Sequence, residues 1–288
     1  EGGFIEFDPF RWGSSRNANV KGDVWYINQS KEMAWTREGQ SVPTRYRGYY
    51  RHNGRAIFSF EVDGKPILSS PIVKAANNDK AVGFTLTFPL GFSGGELSLG
   101  QLPDDLHVSL SSPGRKANAI IKKSGKLTSL VIPKFENSNS LGIAIGQSQA
   151  AATAAAKAAA TVSLSTLTNG GALQWPDTLT TQGAIATDNS LPYVIDTVTV
   201  PEDTGFNSVM QLTSIGFLPD GTALVATLAG EMWAVSGLDE DLSEVTWKRF
   251  AAGLHQPIGI HIDDDGIFVL ERGQITRLID INDDGEAD

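Results

Sequence analysis

Two stretches in the second half of the chain repeat one another. Gln211 to Leu238 reads QLTSIGFLPDGTALVATLAGEMWAVSGL, and Gln256 to Ile281 reads QPIGIHIDDDGIFVLERGQITRLIDI. Each has a strand pattern, an acidic-Gly turn (Pro219-Asp220-Gly221, then Asp264-Asp265-Gly266), a second strand, a Gly and a third strand. A repeat at roughly 45 residues is the spacing of β-propeller blades. A blade is a four-stranded sheet of about 40 to 50 residues, and a closed propeller needs at least about four blades. About two blades' worth of chain follows residue 173, which would leave open sheet edges and an uncovered apolar face, an arrangement isolated proteins avoid. The expectation is that the repeat opens a longer array.

The first half has a different rhythm. In TRYRGYYRHNGRAIFSFEVDGKPILSS, Asn53-Gly54 and Asp63-Gly64 are the dipeptides of two-residue hairpin turns, whose central residues need positive φ. Between them Phe58, Phe60 and Val62 alternate with Ser59 and Glu61, as a half-buried strand requires, so a three-strand meander is expected. Further strands are read at AVGFTLTFPL, at GELSLGQL, and at NAIIKK turning through Ser124-Gly125 into KLTSLVI, with LGIAIG as a closing strand. Residues 1–148 are thus read as an antiparallel β-sandwich domain. Between Ala150 and Ala160 stand nine alanines interrupted only by Thr153 and Lys157. Alanine favours helix, yet the stretch has little apolar bulk to anchor it, so residues 149–172 are read as a linker, helical or frayed. Residues 173–288 are the propeller start, and the fold class expected is all-β.

Composition closes off several functions. The formal net charge of −10 disfavours a nucleic-acid binder, because non-specific affinity for phosphate needs excess Lys and Arg. With no cysteine, disulfides, thiolate metal sites, cysteine nucleophiles and C-x-x-C-H haem attachment are excluded within this span. No run of about 18 apolar residues is present, so no membrane-spanning helix is expected.

The run TWKRFAAGLHQPIGIHIDDDGIFVLERGQITRLIDINDDGEAD resembles the opening blade of the six-bladed propellers of the glucose/sorbosone dehydrogenase type. The elements that carry the likeness are Gly253-Leu254, Pro257, Asp265-Gly266, Glu271-Arg272 and Gly273. Trp247-Lys248-Arg249-Phe250 and the Asp-rich end are similar to a narrower group: large secreted bacterial proteins in which an uncharacterised β-rich domain precedes such a propeller, often with a c-type haem domain beyond. GGFIEFD, the Thr44–Pro71 meander and ALQWPDTLTTQGAI agree with that group in order. The resemblance implies a secreted, periplasmic or cell-surface protein, and a quinone- or haem-dependent dehydrogenase acting on sugars or related alcohols with an electron-transfer partner. It places pyrroloquinoline quinone or haem c, and the catalytic histidine, in parts of the protein beyond these residues. The alternative is a non-catalytic carbohydrate-binding or cell-surface assembly protein on the same scaffolds.

Few candidate site residues stand out. Asp280, Asn282 and Asp284 followed by Gly285 form the D-x-[DN]-x-[DN]-G opening of an EF-hand-type calcium loop. Glu286 would offer its carbonyl at position 7 and Asp288 a carboxylate or bound water at position 9. The bidentate acid of position 12 would fall past Asp288; as the first residue is Glu1, both ends are read as cut points, with the remaining blades expected from further sequence or another chain. Arg272, at the end of a strand, is the one residue that could meet an anionic cofactor or a sugar hydroxyl in a propeller funnel. His255 and His261, six residues apart, would share a face if the strand ran unbroken. In RYRGYYRH, Tyr46, Gly48 and Tyr50 are expected on one face and Arg45, Arg47, Tyr49 and Arg51 on the other, a pattern that suits a sandwich core or contact with a glycan.

Overall fold

The computed structural model describes residues 5–7, 18–20, 35–76, 79–113, 118–187, 190 and 192–288. Of the GGFIEFD stretch only Ile5–Phe7 falls within them. The chain divides into two units, Glu1–Tyr49 with Ile57–Ser165, and Tyr50–Ala56 with Thr166–Asp288.

The first unit is built from antiparallel strands. β1 (Ile5–Phe7) and β2 (Ala18–Val20) pair as a two-stranded sheet. There follow β3 (Trp35–Arg37), β4 (Gln40–Ser41), β5 (Thr44–His52), β6 (Arg55–Val62), β7 (Lys65–Ala76), β8 (Asp79–Phe88), β9 (Gly95–Gln101), β10 (His107–Ser111), β11 (Ile120–Ser124), β12 (Leu127–Ile132) and β13 (Asn139–Gly146). They form a six-stranded sheet in the order β10-β13-β8-β7-β6-β5 and a five-stranded sheet in the order β11-β12-β9-β3-β4. Trp35, Leu130 and Ile132 from the smaller sheet pack with Ile67, Leu86, Phe88, Leu141 and Ile143 from the larger one, so the sandwich core lies where the sequence alternation put it. The expected turns are present: Asn53-Gly54 and Asp63-Gly64 take φ of 49°, 73°, 51° and 71°, as hairpin turns of this kind require. β13, expected as a closing strand, instead lies inside the larger sheet, paired with β10 and β8.

The alanine run behaves differently from a linker. Helix α1 (Gln149–Ala160) is capped by Ser148, whose hydroxyl accepts the Ala151 N–H at 3.2 Å, and it buries Ala151, Ala152, Ala155, Ala156, Ala159 and Ala160. Its anchor is closeness rather than bulk. The facing strands present Ala81, Gly83, Thr85, Gly142, Ala144 and Gly146, and an added Cβ on Gly142 would stand 2.0 Å from the Ala156 carbonyl oxygen. Thr85 donates its hydroxyl to the Ala159 carbonyl at 2.7 Å. Small residues on both sides let backbone pack on backbone, a signal that bulk hydrophobicity misses. A short 3₁₀ turn over Leu164–Thr166 follows.

The second unit contains β14 (Thr178–Thr181), β15 (Leu212–Phe217), β16 (Ala223–Thr227), β17 (Glu231–Ser236) and β18 (Val245–Ala252) as one sheet in the order β14-β18-β17-β16-β15. A second sheet holds β19 (Gly259–Asp263), β20 (Gly266–Leu270) and β21 (Ile275–Leu278) in sequence order. Both repeats are therefore meanders, as their strand–turn–strand pattern requires. The two sheets pack face to face: Leu224, Met232 and Phe250 of the first meet Ile260, Ile262, Val269 and Leu278 of the second. At their contact Thr213 donates its hydroxyl to the Pro257 carbonyl at 2.7 Å, and the Ile260 N–H donates to Ser214 Oγ at 3.1 Å. The architecture is all-β, with separate antiparallel sheets.

Candidate functional site

The acid-rich end of the chain is the most heavily wired part of the second unit. Asp283 and Gly285 take positive φ of 57° and 84°, which folds Asp280–Asp288 into a tight loop. Asp280 accepts the Asp284 and Gly285 N–H groups at 3.1 and 2.7 Å. Asp284 accepts the Glu286 N–H at 2.9 Å and the Asn282 side-chain amide at 3.0 Å. Asp288 accepts the N–H of Gly171 at 3.2 Å and of Ile281 at 2.9 Å. Lys248 reaches in from β18 and donates to the Asp284 carbonyl at 2.6 Å.

Glu286 turns away from the loop. It is 3% exposed, and its two oxygens accept the N–H groups of Gln174 at 2.9 Å and Trp175 at 2.7 Å. Arg51 completes the cluster: its Nε donates to the Ala287 carbonyl at 3.0 Å, its Nη1 to Gln174 Oε1 at 2.9 Å, and its Nη2 stands 3.8 Å from Glu286. A cavity of about 10 Å³ remains between Arg51, Gly171, Gln174, Asp284, Glu286 and Asp288, about the space of one water-sized sphere.

A calcium ion needs six to eight oxygens converging on one point, roughly. Here the carboxylates diverge to separate amides, and the positive charge that Glu286 meets is a guanidinium. Among the described residues no group of three or more His, Asp or Glu stands arranged to hold a metal.

Trp175 is held on both faces by cations. Arg51 lies 4.4 Å and Arg249 4.6 Å from its ring centroid, and Arg249 also lies 4.0 Å from that of Phe206. Arg249 pairs with the buried Glu231 at 2.5 Å, and Glu231 accepts the Ser208 hydroxyl at 2.7 Å. Burial draws the Arg249 guanidinium below its usual range, while Glu231 opposes the shift. Nothing in the strand pattern singles out this stack. The only hint is that Glu231 follows Gly230, whose φ of 97° turns the chain into β17 and hides an acid that alternation would call exposed.

Arg272 is exposed at the end of β20 and donates to Gln256 Oε1 at 3.3 Å, with Glu271 beside it buried and engaged by the His255 N–H and the Thr276 hydroxyl. One exposed guanidinium does not fit a quinone bearing three carboxylates, so no step through that group is derived from these residues. His255 and His261 do not share a strand: Gln256 is left-handed at φ 50° and β19 begins only at Gly259. His261 instead pairs with Asp263 at 3.0 Å.

In the first unit, Gly48 at φ 129° breaks the alternation expected along RYRGYYRH. Tyr46 packs on Phe60 with centroids 5.5 Å apart and Tyr49 on Phe58 at 6.2 Å, and both phenylalanines share one face of β6. Tyr49 therefore joins Tyr46 rather than the arginines. Both tyrosines stay about half exposed, and burial together with the neighbouring Tyr49 raises the Tyr46 phenol above its usual range.

A family described as a domain of unknown function, DUF6797, matches residues 1–69. No curated protein and no solved structure matches the chain.

Proposed function

We propose that the two sheets of the second unit are consecutive blades at the opening of a β-propeller, and that the chain is the front part of a secreted dehydrogenase-like protein acting on sugars or related alcohols. The observation that carries the propeller reading is positional. Leu224 pairs with Ala234 in the first sheet as Phe268 pairs with Arg277 in the second, and Ile215 pairs with Val225 as Ile260 pairs with Val269. Two meanders with one register, packed face to face through their edge strands β15 and β19, are what a radial array of blades consists of.

The dehydrogenase part rests on the resemblance of Gly253–Asp288 to such propellers. When bound, a quinone or haem would supply the two-electron or one-electron sink for alcohol oxidation. The residues here would brace that site. Arg51, Trp175, Arg249 and Glu286 fasten the segment entering the first blade to the loop leaving the second.

The test uses the protein isolated from its source: its visible absorption, and its reduction of a dye when sugars are added. A quinone or haem band with sugar-dependent dye reduction supports the reading, and a colourless, inert protein overturns the enzymatic part. The second reading, a non-catalytic carbohydrate-binding protein, is favoured by the aromatic face of Tyr46, Tyr49, Phe58 and Phe60, since half-exposed rings on a sheet suit stacking with sugars.

A further inference from the structure

The register that relates the two sheets also relates their outward faces. In the first sheet Leu224, Ala226, Met232 and Ala234 are buried or half-buried on the side that meets the second sheet. Their equivalents in the second sheet are Phe268, Leu270, Ile275 and Arg277, fixed by the pairs Leu224↔Ala234 and Ala226↔Met232 against Phe268↔Arg277 and Leu270↔Ile275. That equivalent face is open: Leu270 is 46% and Ile275 70% exposed.

The converse holds on the other side. Ile260 and Ile262, which pack on the first sheet, correspond to Ile215 and Phe217. Those two are 55% and 59% exposed, beside a groove of about 350 Å³ lined by Val198, Val200, Leu212, Val225 and Val235. Each sheet thus uses one face inside the unit and exposes the face that its partner uses. Soluble proteins rarely leave contiguous apolar faces of this kind open.

We propose that these outward faces are the two halves of one head-to-tail interface, and that a second copy of the chain occupies it. The Phe268, Leu270 and Ile275 face of one copy takes the Ile215 and Phe217 face of the next, continuing the sheet-on-sheet packing already present between β15 and β19. This contact is heterologous, so copies close into a ring or extend as a filament. The inference rests on the repeat of sheets and not on any dehydrogenase activity.

The test is the molar mass of the 288-residue chain by light scattering across a roughly hundredfold concentration range, with far-ultraviolet circular dichroism to confirm folding. The expected result is a mass that rises from 30.8 kDa to whole multiples of it. Because each copy carries a net charge of −10, added salt strengthens the association. Leu270→Asp with Ile275→Asp, and separately Phe217→Asp, each weaken it by roughly thirtyfold or more.

The decisive arm mixes the two variants. Each keeps the face that the other needs, so the mixture forms dimers of one copy of each while neither does so alone. A wild-type mass fixed at 30.8 kDa at every concentration, or a mixture that stays monomeric, overturns the proposal. Should a variant lose its dichroism signal, the exposed substitution Ile275→Lys tests the same face. An inert spectrum for the native protein would sink the dehydrogenase reading and leave this outcome untouched.

Discussion

The carboxylate of Glu286 accepts the backbone N–H of Trp175 at 2.7 Å, across 111 residues of sequence. The same carboxylate holds the Gln174 N–H. Glu286→Ala leaves two amides without an acceptor and Arg51 without its acid, so it should lower unfolding free energy by about 2–4 kcal/mol. Glu286→Gln keeps one acceptor oxygen and should cost less. Denaturant unfolding followed by tryptophan fluorescence measures both, since Trp175 sits between two guanidinium groups. Equal, near-zero losses would contradict the role assigned to Glu286.

The close packing of α1 gives a sharper steric prediction. Gly142→Ala places a methyl group 2.0 Å from the Ala156 carbonyl oxygen and 2.5 Å from the Ala160 nitrogen, and should cost about 3 kcal/mol as the helix is pushed from the sheet. Gly125→Ala, at φ +59° with open space around it, should cost only about 1 kcal/mol. Thermal melting of the two variants ranks them, and the reverse order would refute the packing.

A pH dependence follows from Glu96. The Ser129 hydroxyl at 2.5 Å and Lys122 at 3.0 Å hold its carboxyl below the usual value of 4.5. A depressed folded value means the unfolded chain takes up the proton first as pH falls. The stabilisation is therefore complete above pH 4.5 and is lost as pH drops below it through the lowered folded value. Glu96→Gln should flatten the acid limb of the stability curve while leaving the neutral region little changed, as equilibrium unfolding across pH will show.

Calcium remains a proposal for the Asp280–Asp288 loop, and the geometry sets how it would act. Asp288 would have to release the amides of Gly171 and Ile281 to reach an ion, so binding should be weak, in the range of about 10⁻⁴–10⁻³ M. The melting temperature should rise only at millimolar calcium, and Asp280→Ala should abolish the rise. A melting curve indifferent to calcium at that level removes the ion from the account.

How much of this was legible differs by residue. The hairpins at Asn53-Gly54 and Asp63-Gly64 and the acidic-Gly turns of the repeat could be read directly, because turn chemistry and alternation are local. The helix of alanines was misjudged because its anchor is the set of glycines on β8 and β13, a match visible only after the strands pair. Tyr49 was placed on the wrong face because one left-handed glycine, Gly48, shifts the alternation. The Arg51–Trp175–Arg249 stack joins residues from three distant segments, and no spacing rule in the chain links them. The expected calcium ligands were found in one loop but bonded to amides, since Asp and Asn favour tight turns for backbone reasons as well.

The central claim is that further sheets of the same repeat continue the face-to-face packing seen between β15 and β19. A crystal structure of the protein isolated from its source tests it most directly. The account predicts an antiparallel meander lying on Phe268, Leu270 and Ile275, in the register with which the second sheet lies on Leu224, Ala226 and Met232. Finding those three side chains in solvent in every copy, or covered by something other than a sheet, would contradict it.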